Sequence, residues 1–246
     1  MQAIILAAGM GRRLERYTAD NTKCMLAVNG KRLIDRVLEQ LQDLRCVRRV
    51  TIVVGYKADN VMQHVADRYP ALDIRYIVND IYDTTNNIYS LWLAREQLVA
   101  DDTLLIESDL IFDPILLQRL IRHEEPNLAL VDRYQPYMDG TMVRIDARGH
   151  IRSFIPKSAF RQQDAASYYK TVNIYKFSAT FLREKYIPFL NAYVQAFGRN
   201  TYYEQILRII TVVDHYSLQA LPVSPARWYE IDDEDDLHAA EEMFRE

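Results

Sequence analysis

Two cysteines in 246 residues leave no material for a covalent scaffold. Cys24 and Cys46 read as reduced thiols of a cytosolic protein, and no Cys/His group has the spacing of a zinc site. Glycine is scarce too, with seven in the chain, so two that fall close together near the start call for a reason. No apolar run is long enough for a membrane span. The opening MQAIILAAG has no basic leader, so the expectation is a cytoplasmic protein without membrane contact. Positive charge is not in excess: 30 Lys and Arg against 34 Asp and Glu give a net charge of −4. No global field draws nucleic acid or anionic lipid. Internal repeats, low-complexity tracts and linkers are also missing. What remains, 49% hydrophobic and 26% charged, is an ordinary globular balance with a sizeable core.

The first half alternates strand and helix. AIIL (residues 3–6) reads as a buried strand, and VTIVVGY (50–56), DIRYIVN (73–79) and TLLIESD (103–109), the last with an apolar body and an acidic exit, read as further strands. Between them, GKRLIDRVLEQLQDL puts Leu33, Ile34, Val37, Leu38, Leu41 and Leu44 on one helical face. A second helix falls near residues 60–69, and a third opens near Thr85 or Asn86, both good N-caps. PILLQRLIRH reads as a helix with Pro114 in its first turn. Short connections between such elements predict an α/β fold with a doubly wound, mostly parallel central sheet. In such sheets ligands sit at the carboxyl ends of the strands, where Gly9, Gly11, Gly55, Asn79 and Asp109 fall. The second half is less regular: NLALVD, TMVRID, HIRSFIP and YKTVNIYKF are strand candidates, with helices near 179–196 and 201–210. WYEIDD and a short helix, DDLHAAEEMF, close the chain. One domain over 1–246 is expected, with a regular half to about 125 and an elaborated half from about 126.

LAAGMGRRL, residues 6–14, holds the close pair of glycines and two arginines. Main-chain N–H groups in a glycine turn bind phosphate oxygens, and glycine lets a ligand approach the backbone. A dinucleotide site would add a third small residue and an acid at the end of strand two. Here the loop continues Arg12, Arg13, Leu14, and strand two ends in VVGY. A Walker-type GxxxxGK[ST] is absent as well. Two arginines in the loop suit a highly charged polyphosphate; a turn that only joins strand to helix is the plain alternative.

Together with NTKCMLAVNGKRLIDRVLEQL (residues 21–41), the loop resembles the signature of nucleotidyltransferases that activate sugar phosphates and small phospho-alcohols. That pattern runs L-A-A-G-x-G-x-R and, after a gap, P-K-x-L. Arg13 stands at the family arginine and Lys23 at the family lysine, as catalytic cations. Thr22 stands where proline is usual, a departure that bears on loop stiffness. The resemblance extends from residue 1 to about 241. It implies a Rossmann-like, glycosyltransferase-A-like fold and a nucleoside triphosphate held by Leu6, Ala7, Ala8, Gly9 and Gly11. It also implies a Mg²⁺-dependent transfer of a nucleoside monophosphate. That chemistry asks for oxygen ligands around Mg²⁺ and cations around the triphosphate. The resemblance assigns the metal to Asp109 and Asp232. Asp233 stays open beside it, with helix capping as the alternative for Asp233 or Asp235. Glu107 shares a strand face with Asp109.

YDTTNNIYSLWLA (residues 82–94) resembles the T-N-N-x-Y-S-L segment of cytidylyltransferases acting on phosphocholine and aminoethylphosphonate. Sugar-phosphate enzymes usually carry a glycine-rich segment there. Asn86 and Ser90, with Asn79, Thr85 and Asn87, suit a cytosine edge or ribose and phosphate oxygens, and Gly55 resembles the position where backbone meets the base. MDGTMV (138–143) and YKTVNIYKFS (169–178) resemble the phosphonate group most closely, which puts 2-aminoethylphosphonate ahead of phosphocholine and of sugar phosphates. Asp139 is the candidate for the cationic end of the acceptor. Lys170 is the candidate for its phosphonate or phosphate, with a solvated strand residue as the alternative; Asn173 and Glu204 follow. A primary ammonium wants carboxylate or carbonyl partners, a trimethylammonium an aromatic cage, and 17 tyrosines with Trp92 and Trp228 leave a cage open. The expected partners are CTP and a small phosphonate or phospho-alcohol, without nucleic acid. A homodimer is compatible with a sequence that does not fix the oligomeric state. A nucleotide-binding regulator that had lost catalysis is the rival class, disfavoured by the presence of both aspartates.

Overall fold

β1 (Gln2–Ala7) is buried along its whole length, as expected for a strand in mid-sheet. A computed structural model describes residues 1–245, the Glu15 side chain apart. After β1 the chain makes a loop with a short helix, α1 (Glu15–Thr18), and a hairpin of β2 (Ala27–Val28) and β3 (Lys31–Arg32). Then come α2 (Leu33–Asp43), β4 (Val50–Val54), α3 (Ala58–Arg68), β5 (Ile74–Val78), α4 (Asn87–Leu93), α5 (Arg95–Leu98) and β6 (Thr103–Glu107). The second half runs through β7 (Leu110–Phe112), α6 (Ile115–Arg122), β8 (Leu128–Arg133), β9 (Met142–Ile145), β10 (Ile151–Ile155) and β11 (Tyr169–Phe177). It ends with α7 (Ala179–Phe181), α8 (Ile187–Phe197), α9 (Glu204–Val213), β12 (Gln219–Pro222), β13 (Trp228–Glu230) and α10 (Glu234–Met243).

Nine strands form one mixed sheet in the order β10-β9-β11-β6-β1-β4-β5, with β8 on β11 and β12 on β8. β6, β1, β4 and β5 run parallel, as the alternation of strands and helices predicts. Strand alternation sends neighbours to opposite faces. Ile5, Ile52 and Val54 meet Leu38, Val61 and Leu117 from α2, α3 and α6 on one side. Ile4, Val53 and Leu105 meet Leu91, Leu190 and Ile206 from α4, α8 and α9 on the other. Both faces of β1, β4 and most of β6 are therefore covered, which is why they read as apolar runs, whereas β5 at the sheet's edge is half exposed and includes Arg75.

Three features go beyond the expectations. The helix expected over 179–196 is interrupted by a π-helical turn at Leu182–Tyr186; Pro188, at the start of α8, has no N–H for the regular ladder. β12 is a parallel strand on β8. β7 and β13 make a two-stranded antiparallel ribbon in which Glu230 faces Leu110 and Trp228 faces Phe112. That ribbon carries the site.

Candidate active site

The carboxyl ends of β1, β5 and β6 frame a pocket of about 190 Å³. Its walls include Leu6, Ala8 and Gly9 from the glycine loop, Asn79 after β5, and Thr85, Asn86 and Ser90 around the start of α4. The polar side chains here are held by one another. Buried Asn79 donates to Thr85 Oγ1 at 3.1 Å and to Ser90 Oγ at 3.2 Å. The Asn86 side chain accepts from Asn87 N at 2.8 Å and so caps α4. Gly9 has open space where a side chain would project, so the main chain there is open to a ligand. Gly11 has φ +63, the left-handed conformation glycine tolerates. Ala7 points into the core beneath. Gly55 is not on the pocket wall: a Cβ there would lie 2.9 Å from both Ala8 O and Tyr82 Cβ, so its smallness serves the approach of β4 to β1. Thr22, in the place of the usual proline, donates from Oγ1 to Gly9 O at 3.0 Å. The loop is thus held by a hydrogen bond where a ring would stiffen it.

Lys23 lies at the edge of this pocket. Its Nζ donates to Asp109 Oδ2 and to Asp232 Oδ1, both at 2.7 Å. Arg13 reaches Asp232 Oδ1 at 2.9 Å from a side chain that is 59% exposed. The ribbon explains the meeting of residues so distant in sequence: Asp109 precedes β7, Asp232 follows β13, and Ile231 N donates to Asp109 O at 3.0 Å. Burial works against the Lys23 charge, yet the two aspartates hold its pKa above the ordinary lysine value. Burial likewise opposes the Asp232 carboxylate, but Lys23 and Arg13 keep it below the usual range. Asp233 is the N-cap of α10, accepting from Asp236 N in a capping box. Its carboxylate is therefore engaged away from the lysine.

Beyond the aspartates opens a cleft of about 790 Å³, lined among others by Arg13, Glu107, Lys170, Asn173, Glu204 and Glu230. Lys170 is 1% exposed, which excludes a solvated strand residue. Its Nζ meets Glu230 Oε2 at 2.9 Å and donates to Thr171 O at 2.8 Å. Asn173 has φ +61 inside β11 and donates from Nδ2 to Glu230 Oε1 at 3.0 Å. The register of β11 on β8 breaks between Thr171 and Tyr175, and Asn173 sits in that break. Asp139 is on the exposed rim, with Oδ2 on Lys157 Nζ at 2.6 Å. Burial pushes up the Glu107 carboxyl, with Asp109, Glu204 and Glu230 adding to it. Burial also lifts Glu204 to about 7 and raises Glu230 against the pull of Lys170.

The structure therefore joins Arg13, Lys23, Asp109 and Asp232 in one ion-paired cluster between two cavities. It places Asp139 at the rim and Gly55 in packing. Glu230 and Lys157 were missed from sequence. Glu230 had a signal: it stands two residues before Asp232, as Glu107 does before Asp109, and thus on the same strand face.

A mixed, doubly wound sheet with this cluster at its strand ends is the nucleotidyltransferase fold. The solved structure of the CTP:phosphocholine cytidylyltransferase of Streptococcus pneumoniae superposes with a TM-score of 0.82 at 23% identity, covering 99% of each chain. The chain belongs to the family of the MobA-like NTP transferase domain, whose model matches residues 3–184. It is 31% identical over 247 residues to the CMP-5'-(3-aminopropyl)phosphonate synthase of Streptomyces rubellomurinus, covering 99% of this chain and 39% of that protein. It thus spans about two fifths of that relative's length. The 2-aminoethylphosphonate cytidylyltransferase of Lancefieldella rimae is 35% identical over 109 residues, 44% of this chain and 43% of the relative. Among the described residues no helix is long and apolar enough to cross a membrane.

Proposed function

We propose that this chain is a Mg²⁺-dependent cytidylyltransferase that moves CMP from CTP to a small aminoalkylphosphonate, 2-aminoethylphosphonate foremost, and releases pyrophosphate. The observation that carries this reading is the cluster of Lys23, Arg13, Asp109 and Asp232 between an amide-lined pocket and an acid-lined cleft. In this reading one domain holds both substrates. CTP occupies the pocket of Leu6, Ala8, Gly9, Asn79, Thr85, Asn86 and Ser90, and the acceptor occupies the cleft built from residues after about 125. Phosphonate-acting relatives support the acceptor class.

Carboxylate oxygens are the hard donors Mg²⁺ takes, and the buried Asp109 Oδ1 has no hydrogen-bond partner among the described residues. The residues fit the ion, with Asp109 and Asp232 as its holders. Bound there, it supplies neutralising charge at the phosphates. The chain's own cations do the rest. Lys23 keeps its proton in spite of burial and stabilises charge that builds at the α-phosphoryl group. Arg13 stabilises the departing pyrophosphate. A phosphonate oxygen attacks the α-phosphorus in line, the bond to the bridging oxygen breaks, and pyrophosphate leaves. A phosphonate is largely ionised at neutral pH, so no general base is required.

One observation favours a second reading, phosphocholine as acceptor. Tyr137 and Tyr229 stack in parallel, centroids 5.9 Å apart, and with Trp228 line a smaller pocket of about 150 Å³ beside Asp139. Such a wall suits a trimethylammonium group. Pyrophosphate release from CTP with 2-aminoethylphosphonate, phosphocholine, phosphoethanolamine and a sugar phosphate decides between them. The phosphonate is expected to give the highest kcat/KM. Silence with every acceptor would overturn the enzyme reading.

A further inference from the structure

The acid-lined cleft has more carboxyl groups than cations. Glu107, Glu204 and Glu230 line it. Of the cations that line it, Lys170 is committed to Glu230 at 2.9 Å, Lys157 to Asp139 at 2.6 Å and Arg13 to Asp232 at 2.9 Å. Glu204 stands apart from these pairs. It is 6% exposed, and its Oε2 is buried without a hydrogen-bond partner among the described residues. A buried carboxylate oxygen left unmade is a cost that folded proteins avoid unless a ligand or ion completes it.

Two kinds of cation could do so. Among the described residues, no three acidic, histidine or cysteine side chains converge on one point, and in the proposed reading this end of the cleft, unlike Asp109 and Asp232, has no nucleotide phosphates to complete a two-carboxylate magnesium shell. The acids surround a space instead of a point. That arrangement matches a primary ammonium, which carries three N–H donors and no acceptor. It does not match a trimethylammonium, which has no N–H to give.

We propose that Glu204, with Glu107 and Glu230 around it, receives the primary ammonium end of the acceptor, and that this contact selects aminoalkyl over plain alkyl and trimethylammonium acceptors. The proposal deepens the cytidylyltransferase reading and rests on it for the acceptor's other end. It moves recognition of the ammonium from Asp139 on the rim to the interior of the cleft.

The test is calorimetric titration with Mg²⁺ and a non-hydrolysable CTP analogue present. Its ligands are 2-aminoethylphosphonate, ethylphosphonate and the N,N,N-trimethyl derivative of the amine. The wild-type chain is expected to bind the amine tighter than ethylphosphonate by roughly 10- to 100-fold. Glu204→Gln should reduce that preference to within about threefold and leave affinity for the CTP analogue unchanged. Equal wild-type binding of amine and ethylphosphonate would overturn the proposal, as would a preference that survives in Glu204→Gln. If circular dichroism shows Glu204→Gln unfolded, Glu204→Asp keeps the charge but withdraws it, and the amine alone should then bind more weakly. Failure of the parent reading looks different: wild type would release no pyrophosphate with any acceptor, whatever the binding preference.

Discussion

The two sides of the site are made of different material. On the nucleotide side, main chain and neutral side chains from successive strand ends bond to one another, as Asn79 does with Thr85 and Ser90. On the acceptor side, charged groups from β6, β11, α9 and β13 face a cavity about four times larger. The first side is partly fixed before anything binds, since the side chains of Asn79, Thr85, Ser90 and Asn86 already bond within the chain. The second side holds more carboxyl groups than cations, and burial pushes Glu107, Glu204 and Glu230 toward their neutral forms, so its charge and free energy depend on what fills it. A site built this way reads a fixed nucleotide with a preformed surface and sorts acceptors by electrostatics.

The comparison can be broken most forcefully at the junction. Asp109→Ala is expected to lower pyrophosphate release by roughly 10³-fold or more while circular dichroism stays native. Retention of a tenth of the activity would remove Asp109 from the metal site. Next comes the nucleotide side, where Asn79→Ala should raise KM for CTP by roughly 10-fold and leave KM for the acceptor within twofold. A matching rise in both would mean that the two sides are not separable.

The acceptor side is sharpened by pH. Burial lifts the Glu204 carboxyl to about 7, above its unfolded value. Between those two values the folded chain keeps a proton that the unfolded chain has lost, so this residue adds stability at low pH and loses it as pH rises through about 7. Glu204→Gln should therefore melt above wild type at pH 8, and the gap should close toward pH 5. The difference is on the order of 2 kcal/mol. A gap independent of pH would show that Glu204 is not the group titrating. The smallest effect is at the rim. Asp139→Asn should change kcat/KM for the aminoalkylphosphonate by less than about threefold, because that carboxylate is already paired with Lys157. A larger loss would restore Asp139 as the ammonium's partner.

Legibility in the sequence follows the same division. β1, β4, β5 and β6, their helices and the polar residues after each strand were readable, because each strand is a short local apolar stretch ended by a turn or polar residue and each helix has a period of 3.6. Lys23, Asp109 and Asp232 could be nominated, but their contact could not, since it depends on β7 and β13. Three-residue strands such as these are too short to show a period, and their pairing joins Leu110 to Glu230. Lys170 admitted a solvated reading until β8 and β9 were seen to flank it. Thr22 looked like a loss of stiffness; only the structure shows Gly9 O accepting its hydroxyl. Burial with specific long-range partners is what a single sequence leaves unsaid.

The break in β11 at Asn173 has a consequence for how the acceptor side can change. Five residues of β11, from Thr171 to Tyr175, span the length of three on β8, from Val131 to Ala129. The stretch after the break is fastened to β6 in the heart of the sheet. The stretch before it carries Lys170 and is fastened to β9 at the periphery. The break therefore works as slack in a cable: a substitution that moves Lys170 by part of a residue can be taken up at Asn173 without pulling on β6, β1 or the glycine loop. One strand thus lets the acceptor side be retailored while the nucleotide side keeps its shape.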